Sequence, residues 1–232
     1  MTDAERRTRL LQFAAGAAFL ALAVVLVLIV VSTSSSGDGG DTKLEGISEV
    51  NRRLAGVPQH GLVLGDPSAA VEVVEFADLQ CPYCKAFTEE ELAPIIENQV
   101  KKGEAKVAFH NFTVIGEQSL PAGAAALAAG AQGRGWNFVE LFYANQGTEN
   151  SGYADDEFLE AIAKGAGVRD IAKWNREREK FTAEVEATTA EAQQLGFTGT
   201  PSLAIKGPQT EGLKTIETPS TGDLEAAIAS AG

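Results

Sequence analysis

The chain of 232 residues has two cysteines, Cys81 and Cys84, and their setting in VEFADLQCPYCKAF constrains the fold more than any other feature. Just ahead of them, residues 71–76 (VEVVEF) are mostly apolar, as a strand buried on both faces should be. Just after Cys81, Pro82 suits the first position of a helix, where a missing N–H costs nothing. The following stretch places Phe87, Leu92, Ile95, Ile96 and Val100 at roughly helical spacing, and Pro94 should kink that helix or divide it. Residues 106–112 (KVAFHNF) then alternate as a strand. Strand, helix and strand in this order predict a right-handed parallel crossover with both sulfurs at the first strand-to-helix turn.

What the pair does follows from what surrounds it. A zinc site needs four ligands, and His60 and His110, the only other candidates of the soft type, lack the spacing of zinc folds. Covalent haem needs a histidine directly after the second cysteine, where this chain has Lys85. A purely structural disulfide gains little from closing so short a loop. A redox dithiol fits: at a helix start the Cys81 sulfur faces unpaired backbone N–H groups and the positive end of the helix dipole, which favour thiolate. Cys81 is thus expected to be the exposed, exchanging sulfur and Cys84, one turn further in, the buried resolving thiol. No metal and no cofactor beyond the two thiols is implied.

A second element lies far along the chain. GTPS, residues 199–202, sets Pro201 ahead of an apolar strand, a place suited to a cis Thr200–Pro201 bond, although most X–Pro bonds are trans. A cis bond there would turn the Thr200 backbone toward an incoming extended chain. Between the two elements runs a long helical block, about residues 117–195, including one continuous stripe through Ile171, Trp174, Phe181, Val185, Ala192 and Leu195 that Gly196 stops. These helices are expected to form a subdomain of their own, with His110, Trp136 and Trp174 in the core or half-buried. Short β runs at 62–64 and 71–76 precede the cysteines, joined by a turn at Gly65-Asp66-Pro67-Ser68. After Pro201 come a hairpin and a closing helix with Thr221 or Asp223 near its N-cap.

The N-terminal region reads differently. Residues 10–31 run 22 positions without a charge, long enough at about 1.5 Å per residue to cross a bilayer. A secretory signal has a shorter apolar stretch and a small-residue cleavage site, whereas this one runs into VSTSSSGDGG, so an uncleaved transmembrane anchor is expected. Arg6, Arg7 and Arg9 outnumber Asp3 and Glu5 ahead of it, which puts residues 1–9 in the cytoplasm and the rest outside, at the cell membrane. Residues 32–56 are expected to be a flexible linker, and 57–232 the folded domain. With 19 basic against 32 acidic residues the chain has no nucleic-acid footprint. Outside the cytoplasm disulfides persist, which favours the redox reading.

The stretches VEFADLQCPYC and GFTGTPSLAI resemble the thioredoxin-fold thiol-disulfide oxidoreductases, and within them the DsbA-like group, over about residues 57–230. Glutaredoxins share CPYC but have a short chain between motif and proline; the long block here is similar to the DsbA-type insertion. The resemblance implies an α/β thioredoxin fold with a helical subdomain inserted between the active-site βαβ unit and the cis-proline ββα unit. It implies catalysis by a redox-active disulfide, Cys81–Cys84, tuned by Pro82 and Tyr83. It further implies a cis Pro201 abutting the sulfurs, with Thr200 and Pro201 binding substrate, and a buried acid, Glu75, moving the proton of Cys84. The expected activity is oxidation of cysteine-containing exported proteins, with reoxidation by a quinone-linked membrane protein of the DsbB or vitamin K epoxide reductase type. A reductase or isomerase of the same fold, and a tethered peptide-binding or chaperone module, remain the alternatives.

Overall fold

In the computed structural model of the protein, residues 43–216 and 220–232 are described. The expected anchor at 10–31 lies outside the described residues; among those described, no helix is long and apolar enough to cross a membrane. Helix α1 (Ile47–Arg53) opens the described chain, followed by strands β1 (Gln59–His60), β2 (Val63–Leu64) and β3 (Val71–Ala77). Six strands form one sheet in the order β1-β2-β4-β3-β5-β6, where β4 is Ala105–Asn111, β5 is Ser202–Lys206 and β6 is Lys214–Ile216.

The strand leading to the cysteines is central. β3 pairs with β4 in parallel, Glu75 opposite Phe109, and with β5 antiparallel, Glu75 opposite Leu203. Because side chains alternate along a strand, Val71, Val73, Glu75 and Ala77 share one face while Val74 and Phe76 share the other. The Val74 face is closed by Phe112, Ala192 and Ala204, with Leu195 and Phe197 packed against them. The opposite face belongs to the main core, which takes in Cys84, Leu92, Ile95, Ile96 and Leu224.

Helix α2 (Pro82–Phe87) starts as the sequence predicts, with Cys81 extended at the N-cap (φ −75°, ψ 120°) and Pro82 in the first turn. Pro94 neither breaks the run nor divides it. Wide π-type turns at Thr88–Leu92 and Ile96–Val100 flank the short helix α3 (Ala93–Ile95), so the backbone opens around a residue that cannot donate and whose ring crowds the carbonyl one turn earlier. Complete burial of Leu92, Ile95 and Ile96 holds the widened helix on the sheet.

The insertion comprises α4 (Ser119–Gly130), α5 (Gly135–Ala144), α6 (Asp156–Gly165), α7 (Ile171–Glu177) and α8 (Thr182–Gln194). It is separate in sequence but not in packing, because its large side chains complete the core of the sheet. Trp136 meets Phe109 edge to face at 6.3 Å and donates its indole N–H to the Leu62 carbonyl (2.8 Å). Trp174 is likewise buried and donates to Ala125, and His110 is half-buried against Glu191 (3.1 Å). The stripe expected as one last helix is interrupted by a 3-10 turn at Arg178–Phe181, where Arg178 lies over the Trp174 ring and pairs with Asp156. α8 ends on Gly196 at φ 84°, with its N–H on Gln193 and that of Phe197 on Ala192, a left-handed cap that sends the chain toward Thr200.

One boundary differs from expectation. Of the flexible linker expected across 32–56, the described part, from residue 43 on, is folded chain: in α1 and just after it, Val50 and Leu54 lie one turn apart and are buried in the core, and Asn145 brackets the Glu45 backbone (2.8 and 3.0 Å). The closing helix α9 (Thr221–Ala231) is capped by Ser220, which forms a reciprocal capping box with Asp223.

Candidate active site

Residues of β3, α2 and the loop before β5 meet at the carboxyl end of the central strand. Both cysteines are free thiols. Cys81 Sγ lies 3.5 Å from the Thr200 carbonyl, across the Thr200–Pro201 peptide bond, which is cis. The sequence places Cys81 at the surface, but only 2% of it is exposed, because the Thr200 segment lies against the sulfur. Its neighbours Pro82 and Tyr83 are open to solvent, Tyr83 at 76%.

The two sulfurs are held in opposite states. Cys81 is lowered to about 6, first by the thiol of Cys84 donating to it, with further donation from the Thr200 side chain and the backbone N–H groups of Cys84 and Tyr83; burial opposes this and loses. The N-cap position supplies those N–H groups, since the first turn of a helix leaves them without partners. Cys84 is fully buried and pushed far upward, chiefly by desolvation, then by Cys81 and by the nearby Glu75 carboxyl.

Glu75 is 0% exposed, on the face of β3 that meets α2. Burial pushes it up to about 8; Thr88 opposes this by donating to Oε1 (3.4 Å), while Oε2 has no hydrogen-bond partner. A carboxyl so placed holds its proton near neutral pH and lies close enough to act electrostatically on Cys84. Around the cis proline runs a cleft of about 620 Å³ lined by Phe197, Thr198, Thr200, Pro201, Thr215 and Ile216, so Thr200 and Pro201 border an open groove as well as the sulfur. Among the described residues no group of three or more His, Cys, Asp or Glu is arranged to hold a metal.

The structure therefore brings together every residue singled out from the sequence: Cys81, Cys84, Pro82 and Tyr83 on one turn, Glu75 beneath Cys84's helix, and Thr200 with Pro201 alongside. It also adds supports the sequence did not reveal. Asp78 is buried, and its carboxylate accepts from the N–H groups of Gln80, Val114 and Ile115, each at 2.9 Å. Its carbonyl accepts from the Cys81 N–H (3.0 Å) and the Tyr143 hydroxyl (3.3 Å). Gln146, from the chain after α5, donates to the carbonyls of Leu79 (2.7 Å) and Cys81 (3.1 Å). An Asp between a strand and a helix is a readable turn signal; nothing local marks Gln146, whose partners are more than sixty residues away.

A mixed sheet with a dithiol at the start of a helix and a cis proline against the first sulfur defines a thiol-disulfide oxidoreductase of the thioredoxin fold, with the helical insertion of DsbA-like enzymes. The thioredoxin family pattern matches residues 58–221, and the chain belongs to that family. It is 28% identical over 147 residues to the disulfide bond formation protein D of Bacillus subtilis, covering 62% of this chain and 66% of that protein. The crystal structure of oxidised BdbD from Bacillus subtilis superposes with a TM-score of 0.64 at 23% identity, over 75% of this chain and 96% of the other. A thioredoxin-like oxidoreductase from Silicibacter pomeroyi DSS-3 superposes with a TM-score of 0.59 at 28% identity, over 75% and 90%.

Proposed function

We propose that this thiol-disulfide oxidoreductase works as an oxidase, introducing disulfides into exported proteins through Cys81 and Cys84 while anchored at the outer face of the cell membrane by residues 10–31. The observation that carries the direction is the depressed Cys81 thiol at about 6, since whatever stabilises that thiolate stabilises the reduced enzyme and makes the oxidised form a stronger oxidant. Each unit of depression is worth about 1.4 kcal/mol, or about 30 mV for a two-electron couple. The uncharged segment with arginines ahead of it supports the outer location, where disulfides persist.

The steps follow from the two environments. A substrate thiolate enters beside exposed Tyr83 and attacks Cys81 Sγ of the oxidised pair, with the cis-proline cleft receiving the extended chain. The Cys81–Cys84 bond breaks, and Cys84 leaves as a thiolate that takes the proton from Glu75, since a thiol raised so far cannot remain ionised. A second substrate thiolate attacks the substrate sulfur of the mixed disulfide, and Cys81 leaves as a stabilised thiolate. The substrate has gained a disulfide and the enzyme two electrons, which a quinone-linked membrane protein of the DsbB or vitamin K epoxide reductase type removes. Pro82 and Tyr83 set the poise of the couple from between the sulfurs.

Equilibration of the pair with a glutathione buffer tests the direction. An oxidase gives a reduction potential above about −180 mV, whereas a value near about −270 mV, in the range of a dedicated reductant, contradicts it.

A further inference from the structure

A second cavity, of about 360 Å³, lies between α1, α5 and the wide turn that follows α2, with Glu49, Arg53, Thr88, Glu89, Glu140 and Tyr143 in its wall. One of these touches the buried acid and another lies near it. Thr88 donates to Glu75 Oε1 at 3.4 Å, so one hydroxyl touches both the cavity and the carboxyl. Tyr143 is raised chiefly by burial, and Cys84 and Glu75 lie near enough to add to it.

Glu140 is the anomaly. Its side chain is 2% exposed, yet neither carboxyl oxygen has a hydrogen-bond partner, and its nearest cation, Arg53 Nη1, stands 3.6 Å away. Glu49 from α1, Glu89 and Glu97 from the widened helix also act on it, all disfavouring its charge. A buried carboxyl left unsatisfied costs free energy and calls for an explanation. Burial, the largest influence, pushes Glu140 up to about 7 against the pull of Arg53, so it gains and loses a proton near neutrality. The cavity has room and polar walls for several waters.

We propose that this cavity is the route by which the proton shared by Glu75 and Cys84 exchanges with solvent, with Thr88 as the bridge and Glu140 as the relay. The inference rests on Glu75 acting as the proton partner of Cys84. When substrate is oxidised, Cys84 takes the Glu75 proton, and the carboxylate left behind is reprotonated through the cavity. When the enzyme is reoxidised, Glu75 first releases its proton through the cavity and then takes that of the Cys84 thiol; the Cys84 thiolate attacks the mixed disulfide at Cys81 and displaces the partner thiolate, and Glu75 is left protonated for the next turn. Glu140 touches no reacting sulfur, so it serves the rate and its pH dependence rather than the chemistry itself.

The test uses the full chain. Reduced protein is mixed with oxidised glutathione, and resolution of the Cys81–glutathione mixed disulfide by Cys84 is followed from about pH 5 to 9, in light and heavy water. Glu140→Gln is expected to slow resolution roughly tenfold near neutrality, against about a hundredfold or more for a group acting directly, to abolish the inflection near pH 7 and to raise the solvent isotope effect. Thr88→Val is expected to do the same, and the double variant to be no slower than either. The Cys81 titration stays as in the parent protein. Slowing accompanied by a displaced Cys81 titration, or additive losses in the double variant, overturns the relay. If Glu140→Gln resolves at the parent rate while Glu75→Gln is slow, the relay is wrong and the role of Glu75 stands; if Glu75→Gln is also unimpaired, both fall.

Discussion

Cys81 and Cys84 stand one helical turn apart, yet the protein treats them as opposites. At the mouth of the site, Cys81 has donors on several sides, from Cys84, Thr200 and the first-turn N–H groups, and is lowered to about 6. At the back, Cys84 has desolvation, a neighbouring sulfur and a carboxyl, and is driven far upward. The difference teaches that the motif alone does not make a redox pair. A strand end and a helix start supply donors to one sulfur, and burial against a central strand removes solvent from the other.

The sharpest way to break this comparison is to remove one sulfur at a time. Cys81→Ala should abolish exchange, whereas Cys84→Ala should still attack and then accumulate as a mixed disulfide, visible by mass spectrometry under nonreducing conditions. Equal loss without trapping in both variants would erase the asymmetry. Next in size is Glu75→Gln, expected to slow resolution by Cys84 about a hundredfold while leaving Cys81 alkylation unchanged.

The same substitution has a stability signature of definite sign. Glu75 is raised to about 8 by burial, so the folded chain holds a proton that the unfolded chain releases above about 4.5. The stability it contributes is complete below that lower value and lost as pH rises through about 8. Glu75→Gln should therefore match the parent at low pH and exceed it increasingly up to about pH 8, by on the order of 5 kcal/mol. Denaturant unfolding across that range reads the gap. The smallest effect is at the mouth: Thr200→Val removes one donor and should raise the Cys81 midpoint by roughly one unit, lowering the potential by about 30 mV.

How much of this was legible in the sequence differs between the same two regions. The strand-turn-helix around Cys81 announces itself through local rules, apolar run and Pro82 included, whereas the cis state of Pro201 is implied only by the resemblance to the DsbA-like group, since most X–Pro bonds are trans. Glu75 shares its strand with a second acid, Glu72, so its role too comes from the resemblance rather than from the strand pattern. What the back of the site adds, Thr88, Tyr143 and Glu140, comes from elements brought together only by packing, and no spacing in the chain joins residue 75 to residue 140. Helix α1 was readable and missed: Ile47, Val50 and Leu54 recur at helical spacing, but the Ser/Gly stretch before them drew the boundary too far along the chain. The stripe from Ile171 to Leu195 shows the converse, a periodicity that continues across a turn where Arg178 binds Trp174 and Asp156. Depth also escaped the sequence, since only the folded Thr200 segment covers Cys81.

The decisive quantity is the proton affinity of the outer sulfur. Following thiolate absorbance or alkylation rate of reduced protein against pH, with Cys84→Ala as a control that removes one donor and shifts the curve upward, reads it directly. A midpoint near 6 is what the donors around Cys81 require; a curve like that of a free cysteine, centred near about 8.5, would mean those contacts do not hold a thiolate, and the oxidase would lose its driving force.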